Sequence, residues 1–279
     1  MTRALVLGGG GITGIGWEIG LLSGLAAAGL DVDAPDVVVG TSAGSVVGAQ
    51  LCGGVPLEEL YERQLAPPAG ELAATLGPRV LMHLAATGLG RDARAARARL
   101  GRRALRATTV PEAERRAVIA GRLARHEWPE RPRLLVTAVD AETGEAVTWD
   151  RDSGVSLVDA VAASCAVPLV WPPMTVGGRR YIDGGVRSST NADRATGCSR
   201  VVVLAPVTAA VRRSGRVSRQ LASLGPDVRA VVCTPDARAR SAAGRNALDP
   251  ARRAAAARAG RRQAAELARA VAAVWDRNR

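Results

Sequence analysis

The chain reads as an α/β protein: a three-layer α/β/α sandwich around a mostly parallel sheet. Two observations carry that reading. Short apolar runs are followed by a turn and a helix-like segment twice near the N-terminus, at 4–7 and, in β-branched form, at 37–39. Similar units recur at 201–205 and 228–233, where the apolar runs suit buried strands. With 279 residues, 47% of them apolar, the chain can bury one large core. The expected organisation is a single domain over 1–279 with a helical insert at about 53–130.

The first unit starts with the strand Ala4-Leu5-Val6-Leu7 and enters the glycine run Gly8-Gly9-Gly10-Gly11-Ile12-Thr13-Gly14, after which a helix is expected to about Ala28. Gly9-x-Gly11-x-x-Gly14 matches the dinucleotide fingerprint, but that motif needs an acid at the end of the second strand. Asp31 and Asp33 precede that strand, which ends instead in Gly40-Thr41-Ser42. The glycine run suits an oxyanion hole better: backbone N–H groups of Gly9, Gly10 and Gly11 at a helix N-terminus, offered to a negative oxygen.

The second unit centres on Ser42. Val37-Val38-Val39-Gly40-Thr41-Ser42-Ala43-Gly44 holds G-x-S-x-G between a strand and a helix, the pattern of a nucleophile elbow. Side chains at Gly40 or Gly44 would collide with the neighbouring strand or helix. Chance alone gives about 0.16 such matches in a chain with 31 glycines, so the surrounding strand and helix are what strengthen it. Both turns follow parallel strands, which brings Ser42 and the glycine run to one sheet edge.

Within 53–130, Pro56 opens a helix at 57–64 and Pro67-Pro68 breaks it. The apolar segment 80–85 suits ordinary core packing, with cover for a pocket or contact with lipid as alternatives. Helices are expected at 91–107 and 112–126. Residues 134–139 and 145–149 flank a hairpin signal at Asp140 to Gly144, and 157–165 is helical. Tyr181-Ile182 leads into Asp183-Gly184-Gly185, and 250–276 forms a long last helix.

All 38 basic residues are arginine, and the net charge is +12. Segments 91–125 and 238–279 each hold 11 Arg against 3 acids, so the charge belongs to them and not to the serine-bearing core. The plain reading is two solvated helix faces; the functional one is a basic face for an anionic surface. Peripheral contact with anionic membranes fits that charge, and no nucleic-acid partner is expected. Cys52, Cys165, Cys198 and Cys233 form no C-x-x-C pair and read as reduced, buried thiols of a cytoplasmic protein. No signal peptide or membrane span is expected.

A serine nucleophile needs a base. The two histidines, His83 and His126, precede Asp183, and neither occupies a late position where a hydrolase triad would place one. Each reads as structural. That leaves a carboxylate acting directly, and Asp183 between strand and glycines is the best candidate, against the plain alternative of an Asp-Gly turn. An ordinary aspartate is a weak base for a hydroxyl, so Asp183 must be partly desolvated.

Glycine loop, elbow and Asp183-Gly184-Gly185, in that order, resemble the patatin-like phospholipase family. Ala163-Ser164-Cys165-Ala166-Val167-Pro168 and Asn246-Ala247-Leu248-Asp249-Pro250 extend the similarity. The resemblance implies that Ser42 is the nucleophile, Asp183 the general base, and the Gly9 to Gly11 amides the oxyanion hole. Gly14, Gly40, Gly44, Gly184 and Gly185 support these motifs. It further implies an acyl-enzyme route on lipid esters that needs neither metal nor cofactor. Thr13 stands where many members carry Arg or Lys, which weakens the case for a phosphate-bearing substrate more than for esterase chemistry. A catalytically silent lipid- or membrane-binding protein on the same fold is the alternative.

Overall fold

The computed structural model describes residues 2–32, 34–68, 70–88, 91–210 and 212–276; Asp33 lies outside them. The first unit is β1 (Arg3–Leu7) and α1 (Gly11–Ala27), the helix starting inside the glycine run so that Gly14 is helical. The second is β2 (Val37–Gly40) and α2 (Ala43–Cys52). Four helices follow: α3 (Leu57–Leu65), α4 (Pro78–Ala86), α5 (Ala93–Ala104) and α6 (Glu112–Arg122). The hairpin is β3 (Arg133–Asp140) and β4 (Ala146–Trp149), then α7 (Leu157–Ser164). Next come β5 (Met174–Val176), β6 (Arg179–Asp183) and β7 (Arg200–Leu204). The chain closes with α8 (Val217–Ala222), β8 (Arg229–Cys233), α9 (Ala237–Ala243) and α10 (Arg253–Trp275).

The strands form one sheet in the order β5-β6-β3-β2-β1-β7-β8, with β4 also on β3. β3, β2, β1, β7 and β8 run parallel, while β4, β5 and β6 add antiparallel pairs at one side. The central strands are apolar on both faces because both are covered. Leu5, Leu7 and Val38 pack with α1, α2, α7 and α10, whereas Ala4, Val6 and Val39 face the short helix α8 and neighbouring turns. α1 and α10 approach so closely that a Cβ on Gly20 would lie 2.0 Å from the Ala257 carbonyl oxygen.

Several expectations change. β8 is an edge strand whose Arg229 and Ala230 are exposed, so it is not fully buried. α4 buries none of its residues, and Leu81 and Met82 are 52% and 61% exposed, which displaces the core-packing reading of 80–85. The helix packs against α5 and leaves much of its apolar face uncovered. Cys52 is half-buried, while the other three thiols are buried; all four are free. No helix among the described residues is long and apolar enough to cross a membrane.

Candidate active site

Leu7 of β1 pairs with Gly40 of β2, so the loops that leave these strands emerge side by side at the carboxyl edge of the sheet. The second loop holds Ser42 at φ 53 and ψ −115, a conformation that a residue with a side chain rarely adopts. Neighbours over-determine it. The Ser42 N–H donates to Ser164 Oγ at 2.9 Å, and the Ser42 carbonyl accepts from Ser45 Oγ at 2.7 Å and Cys165 Sγ at 3.3 Å. Burial pushes the Cys165 thiol up to about 11, so it keeps the proton it donates. A Cβ on Gly44 would meet the Leu7 carbonyl oxygen at 2.1 Å, and only a glycine lets α2 start this close to β1. The result is a sharp elbow that holds the hydroxyl at the floor of a cavity.

Asp183 arrives from the opposite direction. Gly40 pairs with Val136 on β3, and Asp183 of the antiparallel β6 pairs with Ala138, two residues further along. That register places the carboxylate level with Ser42. The Asp183 N–H donates to the Ala166 carbonyl at 3.0 Å, and Oδ1 accepts from the Gly185 N–H at 2.7 Å. Burial drives the Asp183 carboxyl up to about 6, against the downward pull of hydrogen bonding from the Ser42 hydroxyl, then Gly185, then the charge of Arg115. Buried Asn191 ties the pieces together: its Nδ2 donates to Thr41 Oγ1 at 3.0 Å, Thr137 Oγ1 at 3.2 Å and the Gly184 carbonyl at 3.3 Å.

The glycine loop faces both groups. Gly9 lines the cavity, but its N–H is donated to the Ser189 carbonyl at 2.7 Å. The N–H groups of Gly10, Gly11 and Ala43 have no acceptor among the described residues and stand at the starts of α1 and α2, where the helix dipoles favour negative charge. Beneath the loop, fully buried Glu18 accepts from the Gly8 N–H at 2.8 Å, and burial holds its carboxyl well above the ordinary range. The Asn246–Pro250 segment closes over the loop: Ala247 O accepts from the Thr13 N–H at 3.1 Å.

The cavity above Ser42 has a volume of about 430 Å³. Ile12, Ile15, Leu81, Leu84, Trp171 and Val186 give it apolar walls, and Asp183 is its only carboxylate among the described residues. Arg97, Arg115, Arg122, Arg187 and Arg212 also line it. Neither His83 nor His126 does; their rings bond to the Arg79 and Ala120 carbonyls. No group of three or more His, Cys, Asp or Glu side chains among the described residues is arranged to hold a metal.

Sequence reasoning did not identify Ser164, Cys165, Asn191, Glu18 or Arg115 as parts of the site. The first two lie in a segment singled out only by resemblance. The others carry no local motif.

A family model described as patatin-like phospholipase matches residues 5–196, a span that holds the glycine loop, Ser42 and Asp183. No curated protein matches the chain. Among the solved structures that match is VipD from Legionella pneumophila, at 14% identity and a TM-score of 0.50; the alignment covers 96% of this chain and 67% of VipD. At that identity the likeness concerns the fold: a mostly parallel sheet flanked by helices.

Proposed function

The chain belongs to the patatin-like phospholipase family, and we propose that it is a lipid acyl hydrolase in which Ser42 and Asp183 form a catalytic dyad. The observation that carries this is the strained, braced Ser42 hydroxyl facing a buried carboxylate at the floor of an apolar cavity. Ser42 Oγ attacks the ester carbonyl carbon as its proton passes to Asp183. The oxygen of the tetrahedral intermediate accepts from the Gly10, Gly11 and Ala43 N–H groups. Collapse breaks the bond to the alcohol, which leaves with the proton from Asp183. Water then attacks the acyl-Ser42 ester, Asp183 takes its proton, and the fatty acid departs as Ser42 regains a proton. Gly9 serves the site by anchoring the loop.

Residues 1–279 act as one hydrolase domain, with 53–130 as the insert that walls the cavity. The exposed Leu81 and Met82 of α4 meet the lipid surface, beside the arginine-rich segments that favour anionic head groups. Four free thiols fit work in the reducing cytoplasm.

The test is a series of p-nitrophenyl esters of rising acyl length, from acetate upward. Burial against the apolar wall should raise kcat/KM with each added methylene, by up to about fourfold while the chain still fits. A preference for acetate, or no turnover of any ester even with lipid vesicles present, would contradict the proposal.

A further inference from the structure

Arg115 of α6 is 3% exposed, yet it lines the cavity that holds Ser42 and Asp183. Its guanidinium carbon lies 3.9 Å from the centre of the Trp171 ring. Nε and Nη1 are sealed from solvent with no hydrogen-bond partner; Nη2 is not sealed, and among the described residues it has no hydrogen-bond partner and no carboxylate within ion-pair distance. The other cavity arginines are all engaged. Arg122 donates to Glu71 at 3.1 Å, Arg187 to Asp193 at 2.6 Å, Arg97 to the Gly144 carbonyl at 2.7 Å and Arg212 to the Thr87 carbonyl at 2.9 Å.

A buried guanidinium without an acceptor is costly. Stacking on Trp171 satisfies the face of the cation, not the N–H groups around its edge. A methionine would pack on the ring as well without that cost. The charge does act on Asp183, lowering that carboxyl after the Ser42 and Gly185 hydrogen bonds, but no ion pair joins the two side chains. What remains is a cation whose one unsealed nitrogen, Nη2, belongs to the lining of the cavity that holds the reacting serine, where a phosphate or carboxylate would complete it.

We infer that Arg115 is the receptor for an oxyanion, a phosphate or carboxylate, carried by the lipid whose ester Ser42 attacks. This rests on the hydrolase reading and names its substrate class as anionic. The insert helix α6 then sets specificity, while the sheet edge supplies the chemistry.

The test measures binding to Ser42→Ala protein by calorimetry, with decyl phosphate, decanoate and decanol as probes. At least one anion should bind about tenfold or more tightly than decanol. Arg115→Met should bring that ratio close to one, and Arg115→Lys should keep part of it. Preference for decyl phosphate alone assigns a phosphate head group; preference for decanoate alone assigns a carboxylate on the substrate lipid. The inference is overturned if decanol binds as tightly as both anions, or if the preference survives in Arg115→Met. The first of these outcomes needs no variant at Arg115, so it stands even if Arg115→Met does not fold, and Arg115→Gln, which also removes the charge, then provides the second. Failure of the hydrolase reading shows separately, as absent ester turnover by protein with Ser42 intact.

Discussion

Ser42→Ala is expected to lower kcat/KM for p-nitrophenyl esters by about 10⁴-fold or more while the protein stays folded. The loss is large because the Ser42 hydroxyl oxygen alone forms a covalent bond to the substrate. The fold survives because the elbow is braced through the Ser42 backbone, by Ser164, Ser45 and Cys165, and those contacts do not involve Oγ. Alanine at φ 53 is as strained as serine there, and it removes only the hydroxyl. Circular dichroism and a thermal melt beside the kinetics check both halves. Retained hydrolysis would remove Ser42 from the chemistry.

Asp183→Asn should cost about 10² to 10⁴ in rate, since the amide keeps the Gly185 N–H as a partner but cannot take a proton. The pH profile of the unsubstituted protein carries the same signature. The base is the ionised carboxylate, and burial raises its pKa to about 6. kcat/KM should therefore be level above that pH and fall about tenfold per unit below it. An ordinary aspartate would place that fall some two units lower. Stability gives a second reading. The folded pKa lies above that of the unfolded chain, so the favourable contribution of the protonated carboxyl is complete below pH 4 and disappears as pH rises through 6. Above that, the native protein holds a buried charge at a cost of roughly 3 kcal/mol, which asparagine avoids. Asp183→Asn should thus melt higher than the unsubstituted protein at pH 8 and about equally at pH 4. A lower melting temperature at pH 8 would mean that the carboxylate is structurally stabilising and not held ready as a base.

The parts of the fold legible in the sequence are those with local causes. The β-branched runs became the central strands because both sheet faces are covered, and Gly44 betrays the close approach of α2 to β1. Asp183 stood out because a strand-like run meets two glycines there. Other parts depend on contacts between distant segments. Whether Gly9 offers its N–H depends on Ser189, far along the chain. α4 has the apolar content of a core helix, and only its packing in the fold, against α5, leaves Leu81 and Met82 exposed. β5 is three residues long, too short to show a period. Arg115 was hidden for a different reason: with every basic residue an arginine, composition does not separate a solvated guanidinium from one buried on Trp171.

A nucleophilic Ser42 activated by Asp183 should be open to covalent trapping. A long-chain alkyl fluorophosphonate should transfer its phosphonyl group to Ser42 Oγ, with loss of fluoride and with the hydroxyl proton passing to Asp183. Intact mass should show one adduct, peptide mapping should place it on Ser42, and Ser42→Ala should show none. Asp183→Asn should slow the labelling by about 10²-fold or more. An adduct on another residue, or equal labelling of Ser42→Ala, would contradict a Ser42 nucleophile.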